Sequence, residues 1–306
     1  MEHALILIVG QESTSSPVEI NVGRNTWAVT FSANGKYLLS GGEGGVRMWQ
    51  VEDGKQMATM EARKVYSLAA SKDGRWIAAG GKAGTVYVWD AETREQAWSH
   101  KESDTINTVD FSPDSTRLVA GLHSKKAIIF DMATRKQVQT LDHEHWVRAT
   151  KYSAQGDRLA TGTGEFVRVW DNDGRLLVTI NTGVRPYFNT GLLWSNNHIF
   201  ALFYDEINQF EASSTESVVS EWPVPDTNPY SCITLPKRKA FIAYSTNYTV
   251  TLWDTTTRTQ LSLIEHTQNI LSIAISPDDQ FLAIGGGEGH IVIQRLTHIT
   301  VSFMYR

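Results

Sequence analysis

Two histidines that alternate in an extended segment are the first candidates for chemistry in this sequence. His143 and His145 flank Glu144, and His123 is predicted to lie on the same rim. Alternation in a strand turns both histidines to one side, as two metal ligands require, but a zinc site needs a third protein ligand and a second shell. No residue at a suitable spacing supplies the third ligand. We therefore expect no metal site.

Other groups with catalytic or ligand-binding types also favour structural roles. Cys232 stands beside Ile233 in an apolar strand, where a buried and inert thiol is expected. Glycine runs at 41–45, 80–84 and 285–289 look like phosphate-binding loops, but none matches a P-loop or leads into a helix. Because they recur in register, we predict hairpin bends. The sequence also has neither a GxSxG nor an HExxH motif, so we predict no enzyme activity and no cofactor.

Composition and charge limit the class of protein further. The chain has 306 residues, of which 41% are hydrophobic and 20% are charged, as in an ordinary soluble globular protein. The formal net charge of −5 gives no long-range attraction for nucleic acid or anionic lipid. A single cysteine forms no internal disulfide, and no apolar run is long enough for a signal peptide or a membrane span. These features predict a cytoplasmic protein that binds neither nucleic acid nor membrane.

An internal repeat of about 41 residues organises the whole chain. Successive apolar, β-rich runs end 39, 41, 41, 42, 40 and 41 residues apart. The residues that end these runs are Ser32, Ser71, Ser112, Ser153, Ser195, Leu235 and Ser276. Nine residues after each end, five of the seven positions are glycine, and Trp or Phe follows in five units, in four of them with Asp directly after it. A register kept this long indicates structural repeats rather than chance.

Each repeat has the pattern of four short strands. Turn dipeptides such as Asn34-Gly35 and Asp73-Gly74 close the first hairpin, and a third run such as 85–90 ends in Trp-Asp. A four-stranded unit of this kind leaves apolar faces that only a neighbouring unit can cover. Seven such units are therefore expected to close into a ring.

Periodicity, the recurring glycines and three Trp-Asp dipeptides together resemble the WD40 repeat family. The resemblance covers nearly the whole chain and implies an all-β fold, a seven-bladed β-propeller of four-stranded antiparallel blades, as a single domain over residues 1–306. It implies that the N-terminal segment 3–23 pairs with the last blade, although the strand-like run 299–304 competes for the same outer position. It also implies that His143 supports its own blade, although the sequence lacks the residues for the family's complete Asp-His-Ser-Trp network in any blade.

The most promising binding residues occupy one repeated position at the mouth of the channel. The position lies five residues before the end of each innermost strand, on the face formed by the connections from fourth to first and from second to third strands, here called the top face. Large aromatic and arginine side chains at such a mouth suit partner binding. The predicted contact residues are Trp27, Tyr66, Asn107, Arg148 and Tyr230 at this position, Tyr187 near it in the fifth unit, and Lys82 and His123 in the adjoining bends.

The resemblance and this constellation together predict a non-catalytic scaffold, monomeric in isolation, that binds a protein or peptide on its top face. Two alternatives stay open. Trp27, Tyr66 and Tyr230 occupy the positions of the cage in a Polycomb-type WD40 reader of methylated lysine, but Leu271 replaces its arginine. An enzyme or lectin that uses the central channel would instead need convergent histidine and carboxylate groups, which no sequence pattern indicates.

Overall fold

The computed structural model of the chain describes residues 16–182, 191–203, 206–213, 219–224, 232–236 and 241–296. These residues form 28 strands and one short 3₁₀ turn, Gly287–Gly289. The strands make seven separate four-stranded sheets whose neighbouring strands are all antiparallel where pairing is defined. The predicted fold, an all-β seven-bladed propeller, is confirmed.

Each blade takes four consecutive strands except the last. Blade 1 contains β2 (Thr26–Phe31), β3 (Tyr37–Gly42), β4 (Gly45–Gln50) and β5 (Gln56–Met60), and blade 2 contains β6 (Val65–Ala70), β7 (Trp76–Gly81), β8 (Thr85–Asp90) and β9 (Gln96–Lys101). Blade 3 contains β10 (Ile106–Phe111), β11 (Arg117–Leu122), β12 (Lys126–Asp131) and β13 (Lys136–Asp142), and blade 4 contains β14 (Ala149–Tyr152), β15 (Arg158–Gly162), β16 (Phe166–Asp171) and β17 (Leu176–Asn181). Blades 5 and 6 contain β18 (Leu192–Ser195), β19 (His198–Leu202), β20 (Glu206–Glu211), β21 (Ser220–Pro223); β22 (Ile233–Thr234), β23 (Phe241–Ser245), β24 (Thr249–Asp254), β25 (Gln260–Glu265).

The last blade joins the two ends of the chain. It contains β26 (Ile270–Ile275), β27 (Phe281–Gly286), β28 (His290–Arg295) and, as its outer strand, β1 (Val18–Asn21). β1 runs antiparallel to β28, with Val18 opposite Ile293 and Asn21 opposite His290. The rest of the segment predicted to pair here, residues 3–15, lies outside the described residues.

Apolar side chains hold the blades together at every junction. The described residues form seven buried clusters, each shared by two adjacent blades. One of them packs Ile20 and Ile291 of the last blade against Phe31 and Trp49 of the first. Burial of apolar surface between blades, which no single blade achieves alone, therefore closes the ring.

The serine that ends most innermost strands has a local task in the first hairpin. In blade 2, the Ser71 hydroxyl donates to Asp73 Oδ1 at 2.5 Å and accepts the Trp76 N–H at 2.8 Å. The same pair of bonds joins Ser112 to its hairpin in blade 3 and Ser276 in blade 7. Because the side chain satisfies backbone and turn groups at once, serine recurs at this position.

The repeated glycines act partly inside strands rather than only in bends. Gly80 lies within β7, and a Cβ there would lie 2.3 Å from Cγ2 of Ile106 in the next blade. A Cβ on Gly81 would lie 2.0 Å from the carbonyl oxygen of Lys64. The first glycine thus allows close packing between blades, and the second allows close approach within the blade.

His143 supports its own blade through a buried chain of hydrogen bonds. Its Nδ1 lies 3.0 Å from the Leu141 carbonyl oxygen and its Nε2 lies 2.8 Å from Thr161 Oγ1. Trp170 Nε1 donates to the same hydroxyl at 2.8 Å. The structure thus gives His143 the role that the resemblance implies, with threonine where the family has serine.

Candidate functional site

The repeated position at the channel mouth is a β-bulge in four blades. In blade 1, Thr26 faces Gly42 and Ala28 faces Gly41, so the residue between them has no partner on β3. The corresponding unpaired residues are Trp27, Tyr66, Asn107 and Leu271. A bulge leaves its residue unpaired and changes the direction of the side chain. Strand alternation predicted that these side chains face the channel mouth, and the bulge is the physical feature found at that position.

Trp27 and Tyr66 contact each other edge to face at this mouth. Their ring centroids are 5.2 Å apart and their planes meet at 79°. Both side chains are half-buried, and both line a cavity of about 160 Å³ that also touches Asn107, Cys232 and Leu271. The structure therefore brings two of the predicted contact aromatics together with Asn107, which also lines the cavity.

The sixth blade is shifted by one residue from the predicted alignment. The Ser245 N–H donates to the Cys232 carbonyl at 2.9 Å, and Ser245 faces Val250 as Gly41 faces Val46. By strand pairing, Cys232 is the counterpart of Ala28, a position that the predicted alignment gives to residue 231. Tyr187 and Tyr230 both lie outside the described residues.

Cys232 is placed as a structural thiol at the wall of this cavity. Its Sγ donates to the carbonyl oxygen of Leu271 at 3.2 Å. Burial raises the pKa of the thiol to about 11, so the nucleophilic thiolate is scarce at neutral pH. These observations agree with the inert role that the sequence indicates.

A second cluster lies in the connection between blades 3 and 4, residues 143–148, here called the 143–148 connection. Val147 is its anchor because the side chain is fully buried and both backbone polar groups are bonded. The Val147 N–H donates to Leu122 O at 3.0 Å, and its carbonyl accepts Nδ2 of Asn107 at 2.9 Å. Asn107, predicted as a contact residue, thus uses its amide to position this connection.

Trp146 is the residue that sequence reasoning missed. Its side chain is 46% exposed, although the imidazole of His123 stacks on it at 4.1 Å and 15°. The guanidinium carbon of Arg148 lies 5.5 Å from its ring centroid. His123 and Arg148 were predicted as contact residues, and the structure brings both to the same indole. The available signal was an aromatic residue in a polar connection directly before an innermost strand.

Side-chain contacts with two glutamates hold the rest of the 143–148 connection. Glu144 pairs with Arg168 at 2.5 Å, and His145 Nε2 lies 3.2 Å from Glu165 Oε2. Since His143 turns to Thr161, the two alternating histidines serve different partners. Among the described residues, no group of three histidine, cysteine or acidic side chains is arranged to hold a metal ion.

Burial lowers the pKa of both predicted residues beside Trp146. Burial is the main cause that lowers the pKa of His123, with Arg148 adding to it and Asp104 opposing it. The imidazole that stacks on Trp146 is therefore neutral at pH 7. Burial also lowers the pKa of Arg148, because its half-buried guanidinium has lost part of its hydration. Lys82, the remaining predicted residue, is exposed in the bend between β7 and β8.

The opposite end of the channel opens into a larger cavity of about 750 Å³. Asp110 and Lys151 line it and form an ion pair with 2.8 Å between Oδ1 and Nζ. Asp110 Oδ2 also accepts the N–H of Tyr152 at 3.0 Å. This carboxylate therefore has a structural task in joining blades 3 and 4.

The blades and their Trp-Asp repeats define a seven-bladed WD40-repeat propeller. The sequence profile of the IFT122 first β-propeller matches residues 25–295, and the chain belongs to that family. No helix in the described part of the chain is long and apolar enough to span a bilayer.

Named relatives come from several organisms. The chain is 24% identical to transcription factor unc-37 of Caenorhabditis elegans over 296 residues, which cover 89% of this chain and 47% of unc-37. It is 22% identical to the serine-threonine kinase receptor-associated protein of Gallus gallus over 282 residues, covering 89% and 78% respectively. It is 29% identical to small ribosomal subunit protein RACK1 of Neurospora crassa over 166 residues, covering 48% and 52%. The chain thus spans about half the length of unc-37.

The names of these relatives describe regulators and members of assemblies. WD-repeat relatives of this kind are in general protein-interaction scaffolds or regulators without enzyme activity. This chain shares the repeat fold of these relatives.

Proposed function

We propose that this chain is a non-catalytic scaffold that binds a protein or peptide partner on its top face. The observation that carries the proposal is a β-bulge at one repeat position in four blades, whose residues Trp27, Tyr66, Asn107 and Leu271 line one cavity. Trp27 and Tyr66 meet there, and Trp146 and Arg148 add a second aromatic and cationic group on the same face. Aromatic and arginine side chains that are held rigid lose little entropy on binding, which suits a binding hot spot.

Affinity capture from native lysate tests the proposal directly. We expect wild-type protein to enrich a set of partners that the double variant Trp27→Ala/Arg148→Glu loses. A control, Lys36→Glu, makes the same charge reversal at an exposed position on the opposite face and should keep the same partners. Circular dichroism and thermal unfolding establish that all three proteins are folded. Equal enrichment by wild type and the top-face variant would place the binding surface elsewhere.

The finer predictions on partners follow from this proposal. A protein or peptide partner, a monomeric state in isolation and a cytoplasmic location stay predictions. The methyl-lysine alternative needs a third aromatic at the Trp27–Tyr66 pair, and titration with a trimethyl-lysine peptide against its unmethylated form tests it. An enzyme or lectin in the channel also stays an alternative prediction.

A further inference from the structure

The guanidinium of Arg148 is a charge without a counterion. It is half-buried beside the Trp146 ring, and within the described part of the chain no carboxylate forms an ion pair with it. Glu144, in the 143–148 connection, and Glu165, in the next bend, contact Arg168 and His145 instead. A guanidinium that has lost hydration and gained no acceptor favours a ligand that supplies one.

The geometry around Arg148 suits a carboxylate. Its planar fork of N–H donors matches the two oxygens of a carboxylate, and the backbone that carries it is fixed because its N–H donates to Gly162 O at 2.9 Å. Lys82 and Lys125, in the neighbouring bends of the top face, are exposed and belong to no ion pair among the described residues. Asp104 is the nearby acid, and its Oδ1 accepts the Thr105 N–H. Arg148, Lys82 and Lys125 therefore have no carboxylate partner among the described residues.

Trp146 offers an exposed apolar surface beside Arg148, so a ligand that binds there also needs an apolar group. Its indole is held by His123 on one side and is still 46% exposed, so a ligand can cover it without ordering it first. A large aliphatic or aromatic side chain would bury the exposed part. A polyanion such as nucleic acid fits poorly, because the chain carries a formal net charge of −5.

We propose that Arg148 and Trp146 together recognise a peptide segment in which an aspartate or glutamate lies within one or two residues of a large apolar side chain. The carboxylate pairs with Arg148 and the apolar side chain covers Trp146. This inference rests on the proposed function, since it names the class of partner for the same top face.

Selection from a phage-displayed library of random 12-residue peptides tests this inference with a defined probe. On wild-type protein, we expect enrichment of peptides that combine an acidic residue with a neighbouring aromatic or aliphatic residue. The best peptide is then synthesised with a fluorophore, together with a copy that carries Gln or Asn for the acidic residue. Fluorescence anisotropy measures Kd for both peptides on wild type, Arg148→Gln, Trp146→Ala and Trp27→Ala.

We expect Arg148→Gln and the amide peptide each to weaken binding at least tenfold, and the two changes together to weaken it little further. The control Lys36→Gln removes the same charge from an exposed position on the opposite face and should leave Kd unchanged. Peptides that lose affinity with Trp27→Ala but need no acidic residue would overturn the acidic-peptide inference and leave the proposed function standing. If no peptide is enriched, or if Arg148→Gln and Trp146→Ala leave Kd unchanged, the acidic-peptide inference is overturned, and the capture from lysate decides the proposed function separately.

Discussion

Blades 4 and 6 carry the same Trp-Asp motif but use it differently. In blade 4, Trp170 donates to Thr161, which is bonded in turn to His143. In blade 6, strand pairing places Tyr244 where blade 4 has Thr161, and the buried Nε1 of Trp253 has no hydrogen-bond partner among the described residues. Trp253 packs instead against the apolar cluster between blades 5 and 6.

Blades 4 and 6 therefore share the position of an aromatic ring but not a hydrogen-bond network. A ring at this place fills the space between strands in both blades, while the polar partners vary around it. Blade 4 gains directional bonds, which contribute most where removal of one partner leaves another buried and unsatisfied. The networked blade should therefore be more sensitive to polar substitutions, and the packed blade less so.

Thr161→Val should have the largest effect on this comparison. Valine has nearly the same shape, but Trp170 Nε1 and His143 Nε2 both lose their partner in a buried site. We expect the free energy of unfolding to fall by about 4 kcal/mol, since each orphaned group costs roughly 2 kcal/mol. Urea unfolding measures the loss. Thr161→Ser keeps the hydroxyl and should recover most of it; a Val variant as stable as the Ser variant would show that the bonds contribute nothing.

Acid should weaken blade 4 through His143. Burial lowers the pKa of this imidazole to about 4, whereas an unfolded histidine titrates near 6.5. Between these values the unfolded chain binds the proton and the folded chain does not, so stability is complete above pH 6.5 and falls as pH decreases to 4. The loss reaches about 3 kcal/mol.

The pH effect is isolated by comparison with His143→Gln. Burial also lowers the pKa of His123 and His266, so only the difference between the two pH profiles belongs to His143. Urea midpoints at pH 7.0, 6.0, 5.0 and 4.5 should fall more steeply in wild type than in the variant. Parallel profiles would contradict the neutral, buried state of His143.

Ser40→Ala should have an intermediate effect in blade 1. Trp49 Nε1 donates to Ser40 Oγ at 2.8 Å, and no histidine joins this pair among the described contacts. One orphaned donor predicts a loss of about 2 kcal/mol in urea unfolding, half of the effect in blade 4. Ser40→Thr restores a hydroxyl of the kind that blade 4 accommodates and should restore most of the stability. A loss as large as that of Thr161→Val would mean that the His143 bond adds nothing.

Sequence reasoning recovers what depends on local contacts within one repeat. The serines were visible because each bonds a hairpin within five residues, as Ser71 does with Trp76. The one-residue shift in blade 6 was hidden because Ser245 stands where other blades have glycine, so that landmark was lost. Trp146 was missed because its stacking partner His123 lies in another repeat, 23 positions earlier, and no periodic rule joins them. Three of the predicted contact residues, Trp27, Tyr66 and Asn107, lie at β-bulges, which strand alternation alone does not reveal.

Trp253→Phe should have the smallest effect and gives the sharpest test of the comparison. The substitution removes a buried donor that has no partner, which offsets part of the packing lost with the smaller ring. We expect a loss below about 1 kcal/mol, against roughly 3 kcal/mol for Trp170→Phe, which also leaves the Thr161 hydroxyl without its donor. Both variants are measured by urea unfolding under the same conditions. If the two losses are equal, ring packing alone stabilises both blades, and the hydrogen bonds of blade 4 contribute nothing further to the free energy of unfolding. A difference of about 2 kcal/mol is the contribution of those hydrogen bonds.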